Sequence, residues 1–215
     1  MSETTPDWAQ ATEQRMLDAA LDVAAQSGWN ARLVERAAAA CGLSAAEAGL
    51  LLPQGARDLA ALLSRRHDTM ALEALAGIDP QALKIRERIR RAVEARLDAA
   101  AADPETTRRW AGFLALPSNL PLALRLVWES ADKLWRWAGD AATDENHYSK
   151  RAILAGVLVS TLAVRLSAGR EAAQRQLAAR IDNVMAFERW KAGFKPAELA
   201  RDVAGALGRL RYGRG

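Results

Sequence analysis

Residues 126–165 constrain the fold more than any other part of the sequence, because they predict two helices joined by a short polar loop. The first of these helices carries three of the seven tryptophans, Trp128, Trp135 and Trp137. The loop, residues 139–146, is rich in Gly, Asp, Thr and Asn, which end and begin helices. The second helix then runs without a charged residue over residues 152–164. One helical hairpin therefore brings aromatic side chains beside a long apolar helix.

A cluster of aromatic and cationic residues opens the second helix of this hairpin, with His147, Tyr148, Lys150 and Arg151 in its first turns. Tyr148 and Arg151 are three positions apart and so share a face. The free N–H groups of a first helical turn favour anions, and the planar charged fork of arginine suits phosphate. Lys150 lies about 100° around the helix from Arg151 and is expected in solvent. This chemistry predicts a site for a long apolar molecule whose anionic end contacts Arg151 and is framed by Tyr148.

The uncharged segment, residues 152–164, has apolar or small residues on every face, which is typical of a helix that is enclosed on all sides. Ala155 and Gly156 are small, so a neighbouring helix can approach there or a ligand can find room. Spacing alone leaves two interpretations open: a core helix, with or without a dimer interface, and one wall of a ligand cavity. Trp135 and Trp128 are candidates for the wall of such a cavity, with ordinary core packing as the alternative use.

The composition predicts an all-α protein. Half of the 215 residues are hydrophobic, alanine dominates, and the good helix formers Ala, Leu, Arg and Glu far outnumber the β-branched residues. The length suits one domain or one and a half, with enough apolar residues for a core. The single cysteine, Cys41, cannot form an internal disulfide and is expected to be a small, buried apolar residue.

The N-terminal region, residues 1–55, predicts three helices in close succession. Apolar spacing predicts the first over residues 7–27, ended by Gly28, and the second over residues 31–41, ended by Gly42. A third, short helix follows. This succession resembles the helix-turn-helix of TetR proteins.

The third of these helices lacks the residue types that read DNA. Ser44 caps it, Glu47 occupies the capping-box position, and Pro53 closes it. A DNA reader needs cations for phosphates and polar side chains for base edges. This segment has no Lys, Arg, Asn or Gln before Pro53, and its only charge is Glu47. DNA binding is therefore not expected. The alternative hypothesis is a TetR-type transcriptional repressor with an apolar effector pocket.

The remaining segments complete a prediction of about nine core helices. Helical spacing places them at residues 56–77, at residues 84–102, from residue 104 onward, in the hairpin, and at residues 170–191. Arg and Glu interleave over residues 84–102, which predicts i,i+4 ion pairs on a solvated face rather than a nucleic-acid stripe. His67 has no second His or Cys at ligand spacing and is expected at the surface or at a cap.

The C-terminal residues 191–215 form a basic tail with six cations and two anions, which leaves the rest of the chain neutral overall. The tail predicts an amphipathic helix with a stripe of apolar residues and cations on the other face. Its predicted membrane-contact residues are Leu199, Val203, Leu207, Leu210, Arg201 and Arg209. Such a helix suits an anionic membrane surface. The alternative is a terminal helix docked on its own domain.

No arrangement of residues predicts an enzyme. The sequence lacks a Glu-x-x-His pair, zinc-ligand spacing of Cys and His, a Gly-x-Ser-x-Gly elbow, a P-loop and a Rossmann glycine pattern. Asp140 and Asp144, near His147, are interpreted as helix caps rather than as a catalytic cluster. We therefore expect no catalytic residue, no metal site and no cofactor.

The termini and the apolar segments bear on localisation. The first ten residues are polar and acidic, unlike a signal peptide. The longest uncharged helical segment has 13 residues, residues 152–164, whereas a membrane span needs about 20. We therefore expect a cytoplasmic protein without a transmembrane helix, peripheral on the inner membrane through its tail.

A set of residues in and around the hairpin matches a known family pattern. They are Pro117, Asn119, Trp128, Ala131, Asp132, Trp135, Gly139, Asp140, Thr143, Asp144, Asn146, Tyr148, Lys150, Arg151 and Ala152. Further matches lie at residues 28–30, 84–89 and 180–185. With these residues the sequence resembles the coenzyme Q (ubiquinone) biosynthesis accessory lipid-binding family, that of the ninth Coq protein, which is TetR-like. His147 departs from the pattern, because the family usually has Trp at this position.

The resemblance implies a TetR-like homodimer, formed through the last two core helices, that binds an isoprenoid or phospholipid. It implies that the protein presents the quinone precursor to the di-iron demethoxyubiquinone hydroxylase at the membrane. The expected lipid-binding residues are Arg151, Tyr148, Trp135, Trp128, Ala155, Gly156 and Val159. The expected partner contacts are Trp137, His147 and Tyr148. Three regions follow: a helix-turn-helix region without DNA-readout residues (1–55), a lipid-binding and dimerisation domain (56–192) and a membrane-associating tail (193–215).

Overall fold

The structure, a computed structural model, describes the backbone of residues 8–140 and 145–193 and the side chains of residues 8–140 and 147–183. Eight α-helices and two short 3-10 helices cover most of these residues, and no strand occurs among them. The α-helices are α1 Trp8–Ser27, α2 Ala31–Ala40, α3 Ala45–Leu51, α4 Ala56–Leu75, α5 Ile85–Ala100, α6 Pro104–Leu114, α7 Leu120–Trp137 and α8 Glu145–Gly193. The prediction of an all-α fold is confirmed.

The helix starts follow from local capping chemistry. The side chain of Asn30 accepts a hydrogen bond from the N–H of Leu33 at 3.2 Å and so opens α2. Ser44 and Glu47 form the predicted capping box at the start of α3. The Ser44 N–H donates to the Glu47 carboxylate at 2.8 Å, and the Glu47 N–H donates to Ser44 Oγ at 3.3 Å. Hydrogen bonds from Ser44 also lower the pKa of Glu47. Caps of this kind contribute about 1 kcal/mol each.

One apolar core joins the three N-terminal helices to α4, α6 and α7. Its large buried members include Met16, Leu17, Leu33, Leu59, Trp110 and Leu126. The predicted boundary near residue 55 therefore lies between regions that share a core. By compactness the chain divides at another point, into the units Met1–Leu177 and Ala178–Gly215. The second unit is described only as the end of α8, residues 178–193.

Helices α4 and α5 contain the residues of two sequence predictions, the ion pairs of residues 84–102 and the surface position of His67. Arg90 and Arg91 both donate to the carboxylate of Glu87, at 2.7–2.9 Å, which confirms the predicted ion pairs along the solvated side of α5. The surface position expected for His67 is wrong. Its side chain is buried and meets the ring of Trp110 edge-on, with ring centroids 5.8 Å apart. The physical reason is that α4 buries a wide face, on which His67 lies one turn after a buried leucine.

The turn after α7 is built around a glycine. Gly139 has φ +88°, and a Cβ at this position would lie 2.9 Å from Nε2 of Gln81 and 3.2 Å from Nη1 of Arg88. The same Arg88 Nη1 donates to the carbonyl of Ala138 at 2.8 Å. Only glycine combines this backbone conformation with this close approach. A side chain at this position would therefore disturb the contacts of Gln81 and Arg88 with the end of α7.

Helix α8 is interrupted at Gly169, where φ is +84° and ψ is −174°. The break confirms the predicted separation of the hairpin helix from the last long helix and yields nine helical segments within the described residues. By length and composition, the stretch His147–Asn183 qualifies as a candidate membrane span, with 22% of its most apolar window buried. This differs from the expectation, which counted only the 13 uncharged residues. Because little of this apolar window is buried, α8 has an exposed apolar face.

Candidate functional site

An apolar cavity of about 370 Å³ lies between α5, α6, α7 and the first half of α8. Most of its lining residues are aliphatic or aromatic, among them Leu97, Trp110, Leu114, Leu126, Leu158 and Leu162. The indole N–H of Trp110 donates to the carbonyl of Ala60 at 3.0 Å, so the indole ring is held in place. Cavities of this kind are the usual binding sites for small apolar molecules.

The mouth of this cavity is an exposed apolar rim. Three lining residues, Leu120, Leu124 and Val159, are exposed to solvent by 46%, 67% and 58%. Leu116, just before them in the chain, is exposed as well. Large exposed aliphatic side chains gathered at one opening are typical of a binding surface. Exposed apolar side chains therefore form part of the cavity lining and can contact an apolar molecule from solvent.

Three polar residues, Ser64, Arg96 and Ser130, also line the cavity. Their side chains are buried, and polar atoms supply only a small part of the cavity surface. Behind them, Asp68 accepts hydrogen bonds from Arg96 Nε at 2.7 Å, Ser130 Oγ at 2.7 Å and Lys133 Nζ at 3.0 Å. We call these five residues the polar wall. They belong to three helices, α4, α5 and α7.

The structure brings only one of the predicted lipid-binding residues to the cavity. Val159 lines the cavity, whereas Ala155 and Gly156 do not. Gly156 is exposed, and a Cβ there would meet no atom within 4 Å, so it faces away from the packed core. The role predicted for Ala155 and Gly156 in leaving room for a ligand therefore has no support from this cavity and stays a prediction. The small residues Ala152 and Gly156 of α8 are exposed to solvent in the described part of the chain.

The tryptophans predicted to wall the cavity instead hold the hairpin together. Trp135 Nε1 donates to the carbonyl of Lys150 at 3.0 Å, and Lys150 Nζ lies 5.5 Å from the centroid of the Trp135 ring. The ring of Trp128 packs against that of Tyr148, with centroids 6.2 Å apart. Neither tryptophan lines the cavity. Trp110 supplies the indole ring that lines this cavity, and a lipid-binding role of Trp128 and Trp135 stays a prediction.

Arg151 also has a role different from the predicted one. Its side chain is 1% exposed and does not line the cavity. Arg151 Nε donates to Asp132 at 2.6 Å, and Nη1 donates to Asp140 at 3.1 Å. Arg151 therefore belongs to a buried ion-pair network that ties α8 to α7, and its contact with an anionic head group stays a prediction. Lys150, expected in solvent, joins this network through Asp140 at 2.7 Å.

Asp140 is the centre of this network. Burial alone would raise its pKa, but the hydrogen bonds and charges of Lys150 and Arg151 together outweigh burial and lower it. Asp140 therefore stays ionised at neutral pH and pairs with both cations. The structure shows the Asp140 side chain in ion pairs, and its predicted use as a helix cap stays a prediction.

The predicted partner-contact residues lie at the outer edge of the hairpin. Tyr148 is 65% exposed, and its ring meets that of His147 edge-on with centroids 5.2 Å apart. Trp137 is half-buried at the end of α7. Their role in binding a partner stays a prediction. The predicted membrane-contact residues of the tail, Leu199, Arg201, Val203, Leu207, Arg209 and Leu210, lie outside the described residues.

The residues of the polar wall were missed by sequence reasoning, although the sequence contains a signal for them. Arg96 lies three residues after Val93 and one residue before Leu97, on the apolar face of α5. Ser64 and Asp68 are one turn apart on the buried face of α4. Polar residues that interrupt an apolar helical face are rarely left unpaired. Such interruptions on two helices would have indicated a buried polar cluster.

The N-terminal region offers little to DNA. Helix α3 exposes Glu47 and Leu50, the latter by 84%, and carries no cation. A wide groove of about 630 Å³ lies among α2, α3 and the start of α4. Its one arginine, Arg57, already donates to the side chain of Asn119 at 2.8 Å. A repressor function is not favoured by these surfaces. Among the described residues, no group of three or more His, Cys, Asp and Glu could hold a metal ion.

The order and packing of the helices define a TetR-like class of protein. A TetR transcriptional regulator from Nitrosomonas europaea is similar with a TM-score of 0.62, over 82% of this chain and 97% of that chain, at 18% sequence identity. At this identity the likeness shows the fold alone. The predicted TetR-like fold is confirmed.

Within this fold class the sequence matches point to one family. Residues 120–188 match the family profile of COQ9. The COQ9-B ubiquinone biosynthesis protein of Xenopus laevis, named as mitochondrial, is 32% identical over 165 residues, which is 72% of this chain and 55% of that protein. The human COQ9 protein is 31% identical over 155 residues, 69% of this chain and 49% of its own length. The chain belongs to the COQ9 family, and it spans about half the length of the curated relatives it matches.

Proposed function

We propose that this chain is a lipid-binding accessory protein of ubiquinone biosynthesis, without catalytic activity of its own. It holds an isoprenoid or a phospholipid in the cavity between α5 and α8 and supplies the quinone precursor to demethoxyubiquinone hydroxylase. The observation that carries this proposal is the apolar cavity with its exposed rim of Leu120, Leu124 and Val159. The names of the relatives, which are ubiquinone biosynthesis proteins, support the pathway.

A lipid is expected to co-purify with the protein, and filling the cavity is expected to remove it. Ala123 is a half-buried lining residue, so Ala123→Phe places a ring in the cavity. Such overpacking costs about 1–3 kcal/mol of stability, which a thermal melt measures separately. Organic extracts of both proteins are then analysed by mass spectrometry. We expect several-fold less lipid per molecule of the variant.

The matched control for this experiment is Ala74→Phe, which adds the same ring at an exposed position of α4 away from the cavity. This variant is expected to retain the wild-type lipid content. Extracts of the wild-type protein that hold no more lipid than those of an unrelated helical protein would sink the proposal.

The partner surface is proposed at the exposed end of the hairpin. Tyr148 and His147 form an aromatic pair beside the Trp128 ring, and Tyr148 presents 65% of its side chain to solvent. Exposed tyrosines are among the commonest hot-spot residues of protein interfaces. Since Trp128 and Arg151 hold the base of this surface, it is presented on a rigid support.

Replacing Tyr148 with lysine is expected to weaken binding of the hydroxylase about tenfold or more, because a hot-spot aromatic is lost and a charge is added. The helix end is held by other contacts, so the thermal melt is expected to change little. The measurement is a titration of the labelled variant with purified hydroxylase. Trp8→Lys is the matched control, since Trp8 is an equally exposed aromatic residue on α1. Equal weakening by both variants would exclude a specific role for Tyr148.

A homodimer and a membrane-bound state complete the proposal. On α8, Ala152 and Gly156 are small, exposed and one turn apart, and neither lines the cavity. A second copy of the chain is proposed to cover this side of α8. The basic tail, residues 193–215, is proposed to bind the cytoplasmic face of the inner membrane, while the named relatives are mitochondrial. Sedimentation of the full chain measures the first property, and flotation with anionic vesicles measures the second.

A further inference from the structure

Helix α8 bends at Gly169, and one carboxylate of α5 contacts both sides of the bend. Asp98 accepts hydrogen bonds from Arg165 Nη2 at 3.2 Å and from Arg170 Nη2 at 2.6 Å. Arg165 precedes Gly169 in the chain, and Arg170 follows it directly. One anion therefore holds two segments of α8 that the glycine separates, and it holds both of them against α5.

The backbone on the N-terminal side of the bend is held by α6. Arg108 Nη2 donates to the carbonyl of Leu166 at 2.9 Å. Carbonyls near the end of a helical segment lack helical partners, and a cation is well suited to accept that role. Gly169 itself has φ +84°, and a Cβ there would meet no atom within 4 Å. The bend is therefore set by the backbone conformation and by arginine contacts rather than by close packing around the glycine.

The segment that follows the bend, residues 170–177, covers part of α5, and we call it the post-bend segment. Leu97 of α5 lines a cleft together with Ala173 and Leu177 of this segment, and all three are almost fully buried. The cleft has only about 10 Å³ of free volume, too little for more than one water molecule. The post-bend segment therefore closes this seam against solvent.

Leu97 separates the cleft from the apolar cavity, because it lines both of them. Leu166 of α8 lines the cavity as well. The ion pair joins the residues next to these two leucines, since Asp98 follows Leu97 and Arg165 precedes Leu166. A movement of the post-bend segment away from α5 would uncover Leu97 and give the cavity an opening at this end.

The ion pairs that close this seam are weak enough to open. The Asp98 side chain is 38% exposed and that of Arg170 is 60% exposed, and ion pairs with this exposure contribute little and are screened by salt. Arg165 Nε is buried and has no hydrogen-bond partner among the described residues. A buried donor without a partner makes the closed state less favourable.

We propose that Asp98 is a latch: its ion pairs with Arg165 and Arg170 hold the post-bend segment over Leu97, and their release opens this end of the cavity while α8 straightens through Gly169. Glycine permits both the bent and the helical backbone conformation. The use of this opening rests on the proposed lipid-binding function. At about 370 Å³ the closed cavity lies near the lower end of the roughly 300–1,000 Å³ that ligand pockets span, so a long apolar molecule needs additional room.

Opening is measured by the rate at which a thiol in the cleft reacts with a water-soluble reagent. Ala173→Cys places the thiol at a position that is 3% exposed, in a full-length protein whose free Cys41 is replaced by serine. In this parent protein, Asp98→Asn is expected to raise the labelling rate about tenfold, which corresponds to about 1.4 kcal/mol and lies within what two partly exposed ion pairs contribute. Added salt is expected to speed labelling of the parent protein but not of the Asp98→Asn variant.

The matched control is Glu94→Gln. Glu94 lies one turn before Asp98 and lines the same cleft, but it pairs with Arg90 of its own helix, so the labelling rate is expected to stay unchanged. A control thiol is introduced with Ala71→Cys in the buried face of α4. It is expected to react equally slowly with and without Asp98→Asn, which separates local opening from a general loss of stability.

Two further variants keep the test decisive if Asp98→Asn does not fold. Arg170→Gln removes the exposed ion pair beyond the bend. Gly169→Ala penalises the positive φ of the bent state and favours a continuous helix. Each is expected to raise the labelling rate of the thiol in the cleft several-fold.

The connection to the cavity is tested with a short and a long saturated fatty acid that displace a fluorescent fatty acid from the protein. Asp98→Asn is expected to strengthen binding of the long acid several-fold and to leave binding of the short acid unchanged. An unchanged labelling rate in all three variants overturns the latch. Faster labelling with unchanged binding of both acids overturns its connection to the cavity. A protein that binds neither acid overturns the proposed lipid-binding function, and the labelling rates then still decide whether the latch exists.

Discussion

Replacing Arg96 with methionine is expected to lower the free energy of unfolding by about 3–5 kcal/mol, the largest effect of any single substitution proposed for this protein. The guanidinium is buried and pairs with Asp68, whose carboxylate is itself 2% exposed. Without it, Asp68 keeps hydrogen bonds from Ser130 and Lys133, but Lys133 is partly in solvent and lies farther away. Urea denaturation followed by circular dichroism measures the loss.

The source of this loss is identified by removing the charge of the partner as well. The double variant Arg96→Met with Asp68→Asn no longer buries an unpaired carboxylate and is expected to recover part of the lost stability. Arg91→Met is the matched control, because the pair of Arg91 with Glu87 is exposed and contributes at most about 1 kcal/mol. A similar loss for Arg96→Met and Arg91→Met would contradict the importance given to burial.

The helices and their ends could be predicted because local chemistry sets them. The capping box of Ser44 and Glu47 spans four residues, so the sequence contains all of its parts. The breaks at Gly28, Gly42 and Gly169 are equally local, since each glycine adopts a positive φ that other residues avoid. For these features, residues that are close along the sequence are also close in space.

The polar wall could not be predicted in this way, because its members meet only in the folded chain. Asp68 lies 28 residues before Arg96 and 62 before Ser130. The spacing rules for a single helix reach about four residues. They can show that a polar residue lies on a buried face, but they do not show which residue of another helix will pair with it.

Arg151 shows how a local argument fails when a long-range partner competes. Its place in the first turns of α8 favoured an anionic ligand, and the anions that bind it are two carboxylates of the same chain, Asp132 and Asp140. The sequence contained both carboxylates within 19 residues of Arg151. The hairpin was predicted, but helical spacing did not show that Asp132 and Asp140 would meet the guanidinium of Arg151 across it.

These differences change how the site is understood more than they change the fold. Arg151, the cation predicted for the ligand, pairs with carboxylates of the hairpin, and the charged residue that lines the cavity is Arg96 of α5. The hairpin is a rigid support for an exposed aromatic pair, His147 and Tyr148. The cavity and the proposed partner surface thus share two helices, α7 and α8, and the cavity is completed by residues of α5 and α6.

The second large effect is a loss of stability in mild acid that originates from His67. Its side chain is 5% exposed, and its Nδ1 is buried without a hydrogen-bond partner in the described structure. Burial, followed by the positive charges of Arg96 and Arg66, lowers the pKa of His67 to about 3 from an ordinary value of 6.5. In the folded protein the ring therefore stays neutral where the unfolded chain takes up a proton.

The sign of the effect follows from this difference in proton binding. Between pH 6.5 and 3 the unfolded state binds more protons, so stability is complete above pH 6.5 and falls by up to about 1.4 kcal/mol per pH unit as the pH decreases. We expect the free energy of unfolding to drop by about 2 kcal/mol between pH 7 and pH 5, where most carboxylates are still ionised in both states. His67→Leu keeps an apolar contact with Trp110, removes the unpaired nitrogen and is expected to abolish most of this drop.

Urea denaturation at the two pH values measures the drop in the free energy of unfolding. The NMR signal of the His67 ring in the folded protein provides an independent measurement. A ring that titrates near pH 6.5, or a variant with the same pH dependence as the wild type, would show that His67 is not the source.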